Sequence, residues 1–129
     1  MNFPDDLKFS RSHEWVRREG AEAVVGLTDY AQEELGDIVY VELPQEGEEV
    51  EKETAFGVVE SVKATEDLYS PVSGKVIEVN TPLDDTPEVV NEDPYGDGWL
   101  IRLEMAEPKE LEDLMTAEQY QAYVEAEKA

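Results

Sequence analysis

Short apolar runs, broken by glycines, prolines and acidic residues, set the pattern of this chain. Runs of this length with turn residues at their ends predict strands. Leu7-Lys8-Phe9-Ser10 reads as a short edge strand, and Glu14–Glu19 with Ala21–Leu27 as a hairpin about Gly20. Trp15, Val24 and Leu27 are its core candidates. Thr28 follows as a helix N-cap, since its hydroxyl can accept an orphan backbone N–H. The predicted helix is Asp29–Leu35, with acids in its early turns and Gly36 as its stop. Ile38–Leu43 is a strong strand ended by Pro44, and Val50 falls in a weak strand or loop among glutamates.

In the stretch Phe56–Gly74 apolar residues run up to Glu60, polar ones surround Lys63, and a new run leads to Pro71 and Gly74. It predicts two strands joined near Val62-Lys63, with the lysine held out at the bend. Lys75–Val79 is a further strand. Residues 80–98 carry Pro82, Pro87, Pro94, Gly96 and Gly98, which predict loop with one helical turn near Glu88-Val89-Val90. Trp99–Leu103 is the last strand, and Trp99, like Trp15, is expected in the core. Pro108 opens a short helix through Leu114. Thr116 and Gln119 make a capping box for a final helix, in which Tyr120, Tyr123 and Val124 form one apolar stripe. With no linker or repeat in sight, a single mainly β domain over residues 1–129 is expected, with appended short helices.

Composition narrows the function. Thirty-three acidic residues against ten basic ones give a formal charge of −23, which argues against nucleic acid and anionic membrane surfaces as partners. The chain has no cysteine, so disulfides and thiolate metal sites are excluded. No apolar run approaches spanning length, and Met1–Asp6 shows neither a basic signal region nor an Arg-rich transit pattern. A cytoplasmic monomer is expected, or a mitochondrial matrix protein if the chain is a processed one. His13 is the lone histidine, and no nucleophile motif accompanies it. Catalysis by the chain itself is therefore not expected, and a structural or surface role suits His13.

A lysine in a tight turn is most simply a solvated charge. Here, however, it stands in Glu60-Ser61-Val62-Lys63-Ala64, followed by Ser70-Pro71-Val72-Ser73-Gly74. That string resembles the attachment hairpin of lipoyl carrier domains, in particular the H proteins of the glycine cleavage system. The resemblance extends to Ser12-His13-Glu14-Trp15, to Gly26 through Asp37, to Val39 through Pro44 and to Val89 through Trp99. One departure is Lys52-Glu53, where lipoyl-type domains often place a glycine in the turn.

The resemblance implies a barrel-sandwich hybrid of two antiparallel sheets, lipoyl/biotinyl carrier-like, with C-terminal helices. It implies lipoic acid in amide linkage to Lys63, with Glu60, Ser61, Val62 and Ala64 shaping the hairpin or its recognition. Ser12, Glu14 and Asp67 are implied as a cleft that shields the arm. The implied role is to carry an aminomethyl group from a pyridoxal-phosphate glycine decarboxylase to a tetrahydrofolate-dependent aminomethyltransferase. An FAD-bearing dihydrolipoamide dehydrogenase then reoxidises the arm, and a lipoylating enzyme installs it. The carrier would be non-catalytic, its hard chemistry belonging to the cofactor. A biotin carrier would share the turn lysine, although biotin sites typically flank it with methionines where Val62 and Ala64 stand here. A lipoyl relay protein and an unmodified interaction module also remain open at this point.

Overall fold

A computed structural model describes residues 1–128. Its strands are β1 (Lys8–Phe9), β2 (Glu14–Glu19), β3 (Glu22–Leu27), β4 (Ile38–Glu42), β5 (Glu49–Val50), β6 (Ala55–Ser61), β7 (Thr65–Tyr69), β8 (Gly74–Val79) and β9 (Ile101–Met105). The helices are α1 (Asp29–Leu35), α2 (Val89–Glu92) and α3 (Ala117–Lys128), with 3-10 turns at Thr81–Asp84 and Pro108–Asp113. One antiparallel sheet has the order β1-β2-β3-β9-β8-β5, and a smaller one the order β4-β6-β7. The two sheets pack as a sandwich, as expected, and hydrogen bonding closes neither into a barrel.

Alternation along each strand decides what lies between the sheets. In β2, Val16 faces the main core with Val25, Val59, Leu68 and Leu103, while Trp15 faces a second core with Phe9, Val24 and Tyr120. The stripe on α3 closes that second core: Tyr120 stacks on Phe9 at 4.7 Å and meets Phe3 edge-on at 4.9 Å. The capping box forms, with the Gln119 amide donating to Thr116 Oγ1 and the Thr116 amide to Gln119 Oε1. Thr28 caps α1 by accepting from the Ala31 amide at 3.1 Å.

Three local expectations shift. The last strand starts at Ile101, because the carbonyl of Trp99 accepts from the Asn80 carboxamide at 2.7 Å and so leaves the ladder. Trp99 is only partly buried, against the second core. The segment after Pro108 winds as 3-10, its amides bonding three residues back, as in Leu114 to Leu111. At Lys52-Glu53 the turn does need a left-handed residue, and Glu53 supplies it at φ +66°. No described helix is long and apolar enough to cross a membrane.

Candidate functional site

The β6–β7 hairpin is pinned from within. The Ser61 amide donates to the Ala64 carbonyl at 2.8 Å, closing a two-residue loop over Val62 and Lys63. The Ser61 hydroxyl oxygen then accepts from the Lys63 amide at 3.3 Å and the Ala64 amide at 3.1 Å. A short hydroxyl side chain that bonds backbone two and three residues on is a local turn device. Outside the loop, the Val62 amide donates to the Asp37 carbonyl at 3.0 Å. Lys63 is exposed on this clamped bend, its stem lying over the end of α1. Gly36 caps that helix at φ +77°, and a Cβ built there would come 3.5 Å from Lys63 Cε. Asn91 fixes the junction below, accepting from the Ile38 amide and donating to the Gly36 carbonyl, each at 2.9 Å.

Beside the hairpin lies a cleft of about 430 Å³ between α1, β7 and the turn into β2. Leu27, Ala31, Leu35, Val59, Ala64 and Leu68 give it apolar walls. Glu14, Glu34, Glu66, Asp67 and Glu127 bring carboxylates to it, with Ser12, His13, Tyr30 and Tyr69. An apolar channel ringed with carboxylates suits a flexible hydrocarbon arm with a cationic tip.

Glu14 is only 1% exposed, so it is no part of an ordinary acidic surface. Its carboxylate accepts from the Ser10 hydroxyl at 2.7 Å, from the Ser12 hydroxyl, and from the Tyr69 amide at 3.1 Å. Burial pushes its pKa up to about 7, against the lowering effect of those donors. An ionised carboxylate has about four acceptor positions, so three donors leave it little spare capacity. Because Ser12 spends its hydrogen on Glu14, its oxygen is left to act as an acceptor.

Asp67 reaches the cleft from an exposed edge strand. In the register Glu66 pairs with buried Val59, and Asp67 with Val58. Neighbouring residues alternate faces, so Glu66 shares the face of Val59 while Asp67 shares the other. Sequence reasoning passed over Glu66, Glu34 and Glu127. The spacing Tyr30–Glu34 on one face of α1 held a signal for the second; Glu127 arrives only by the docking of α3. Burial, with Glu34 and Glu127 nearby, pushes the Tyr30 phenol up to about 12.

His13 has the structural role its context suggested. At φ +73° it turns the chain into β2, its Nδ1 lies 2.7 Å from the Tyr120 hydroxyl, and its Nε2 lies 3.0 Å from Glu127. Burial holds its pKa below the usual histidine value, with Glu127 opposing.

A family model described as glycine cleavage H-protein matches residues 7–127. The glycine cleavage system H protein of Anaeromyxobacter sp. (strain K) is 58% identical over 125 residues, 97% of this chain and 98% of that one. That of Symbiobacterium thermophilum is 54% identical over 122 residues, 95% of each chain. Among solved structures, a glycine cleavage system H protein from Mycobacterium marinum is similar with a TM-score of 0.84 at 39% identity, over 93% of this chain and 97% of that one.

Proposed function

This chain belongs to the glycine cleavage H-protein family, and on that premise we propose that it is a non-catalytic lipoyl carrier whose attachment site is Lys63. The observation that carries the site is the clamped bend, which presents one exposed amine beside a cleft of suitable lining. Attachment is an acyl transfer. The deprotonated Lys63 nitrogen bonds to the acyl carbon of an activated lipoyl donor, the bond to the activating group breaks, and nitrogen loses a proton. The product is neutral, so the charge on Lys63 is lost. When bound, the lipoyl group supplies a dithiolane that opens to take an aminomethyl cargo on sulfur and closes on reoxidation.

The chain's own residues do the rest. Ser61 fixes the direction of the arm at its root, the stem passes over Gly36 at the end of α1, and Glu60, Val62 and Ala64 frame the lysine for recognition. The apolar walls exclude water, while Glu14, Ser12 and Asp67, with Glu66 and Glu34, attract a cationic tip. The chain works as one carrier domain. It loads at a pyridoxal-phosphate decarboxylase, unloads at a tetrahydrofolate-dependent aminomethyltransferase and is reoxidised by an FAD-bearing dihydrolipoamide dehydrogenase.

The test is intact mass and peptide mapping after incubation with a lipoylating system. A single lipoyl amide on Lys63 is expected, and none on Lys63→Arg, whose circular dichroism stays that of the wild type. A lipoyl group on Lys52 or Lys75, or biotin on Lys63, would overturn the reading.

A further inference from the structure

Among the described residues five large apolar side chains are exposed, and three of them lie on the adjoining backbone stretches next to Lys63. Val62 is 68% exposed beside the lysine, and Val39 and Tyr40 on β4 are 54% and 45% exposed. They are neighbours through the backbone. The Asp37 carbonyl accepts from the Val62 amide, Ile38 pairs with Ser61, and Tyr40 pairs with Glu60. In a regular strand one of two adjacent residues turns inward. Here a bulge between Ile38 and Tyr40 shifts the register, and Ile38 and Val41 are buried while both residues between them face solvent. Bulges re-aim side chains, and they also spoil an edge for strand addition. Contact at this edge is therefore through side chains.

We propose that Val39, Tyr40 and Val62 form an apolar docking surface for the enzyme that acylates Lys63, an occupant with an apolar recess bordered by basic residues. The proposal rests on Lys63 being the attachment site. The choice of occupant follows from reach. An acylating enzyme must bring its acyl carbon to Lys63 Nζ itself, so its walls cover the hairpin tip and whatever lies beside it. Enzymes that act on the far end of a long arm have no need to cover the hairpin tip. The basic border follows from charge: Asp37 and Glu42 flank the pair on β4, and Glu60 stands opposite Tyr40. Apolar side chains collected at the hairpin also give the enzyme a means of telling this lysine from the other five, since charge alone marks every face of so acidic a chain.

The experiment compares wild type with the double variant Val39→Ser, Tyr40→Ser, both sites being exposed on the outside of the sheet. A purified lipoate ligase with lipoic acid and ATP modifies each, followed by intact mass. The expected result is a fall of at least tenfold in kcat/KM for lipoylation, carried by KM, with an unchanged melting temperature. Variant protein lipoylated by prolonged incubation is then reduced by dihydrolipoamide dehydrogenase and NADH at the wild-type rate. Lipoylation within twofold of wild type overturns the proposal. So does an equal loss in the dehydrogenase reaction, which would make the patch a general one. If wild type takes no lipoyl group at Lys63, the carrier reading itself fails; if wild type loads and the variant loads equally, only the docking surface does.

Discussion

At the residue scale, Glu14 is where charge and burial are in open conflict. Its folded pKa of about 7 stands above the ordinary carboxylate value of 4.5, and burial is the leading cause. The folded protein therefore binds more protons than the unfolded chain between those two values. Stability from this group is fully present below about pH 4.5 and is lost as pH rises through about 7. The size is on the order of 3 kcal/mol, from about 1.4 kcal/mol per pKa unit. Glu14→Gln is expected to flatten the fall in stability between about pH 4.5 and 7, read as the difference from wild type in urea melts across pH. Parallel pH profiles would mean that Glu14 titrates normally. The same variant tests the cleft. A charge-assisted hydrogen bond contributes roughly 1.5–3 kcal/mol, so isolated loaded Glu14→Gln is expected to release ammonia and formaldehyde at least several-fold faster, with Lys63 lipoylation unaltered. Equal decay would remove Glu14 from any protective role.

At the element scale, the position of the bend depends on how closely β4 and β6 approach. A Cβ on Gly57 would clash with the Glu42 carbonyl oxygen, a backbone atom of the neighbouring strand. Neither atom belongs to a flexible side chain, so the two strands must part. Gly57→Ala is expected to cost roughly 3 kcal/mol and lower the melting temperature by about 10 °C. The lipoylation rate should fall as well, because β4 and the hairpin share this register. A melting temperature within about 2 °C of wild type would show that the sheet relaxes without loss. Local signals predicted these elements well. Thr28 and Gly36 bracket α1 where the sequence placed them, and Thr116 with Gln119 opens α3. The bulge that turns Val39 and Tyr40 out was not legible, since nothing in Ile38–Leu43 itself distinguishes a bulged strand from a regular one.

At the scale of the whole molecule, charge dominates. Lys52 is paired with Asp113, and Arg102 with Glu19, Glu22 and Glu78, but these cations are already counted in the net charge, so the whole −23 remains. Exposed charges act over roughly 10 Å at about 0.1 M ionic strength and less at higher salt. The apparent affinity of the lipoylated protein for glycine decarboxylase is expected to fall several-fold across a salt series from about 0.05 to 0.3 M. An affinity that stays flat across the series would mean that the acidic surface does not steer partners. The added salt should also raise the melting temperature modestly, because self-repulsion of like charges is screened.

What the sequence determined by itself was local or repetitive: strand runs, helix caps, the stripe on α3 and the lysine at a bend, with the family resemblance that those residues carry. Each of these rests on residues a few positions apart, where periodicity and turn chemistry report directly on geometry. Tertiary structure decided the rest. Glu14 became a buried acceptor because β7 brings the Tyr69 amide to it across 55 positions of chain. Glu34, Glu66 and Glu127 share one cleft because α1, β7 and α3 converge there. Trp99 left its strand because Asn80, 19 positions back, took its carbonyl. A carboxylate reads the same in any acidic sequence. Whether it is solvated or held among donors depends on which distant elements fold against it, and that is a property of the packed molecule.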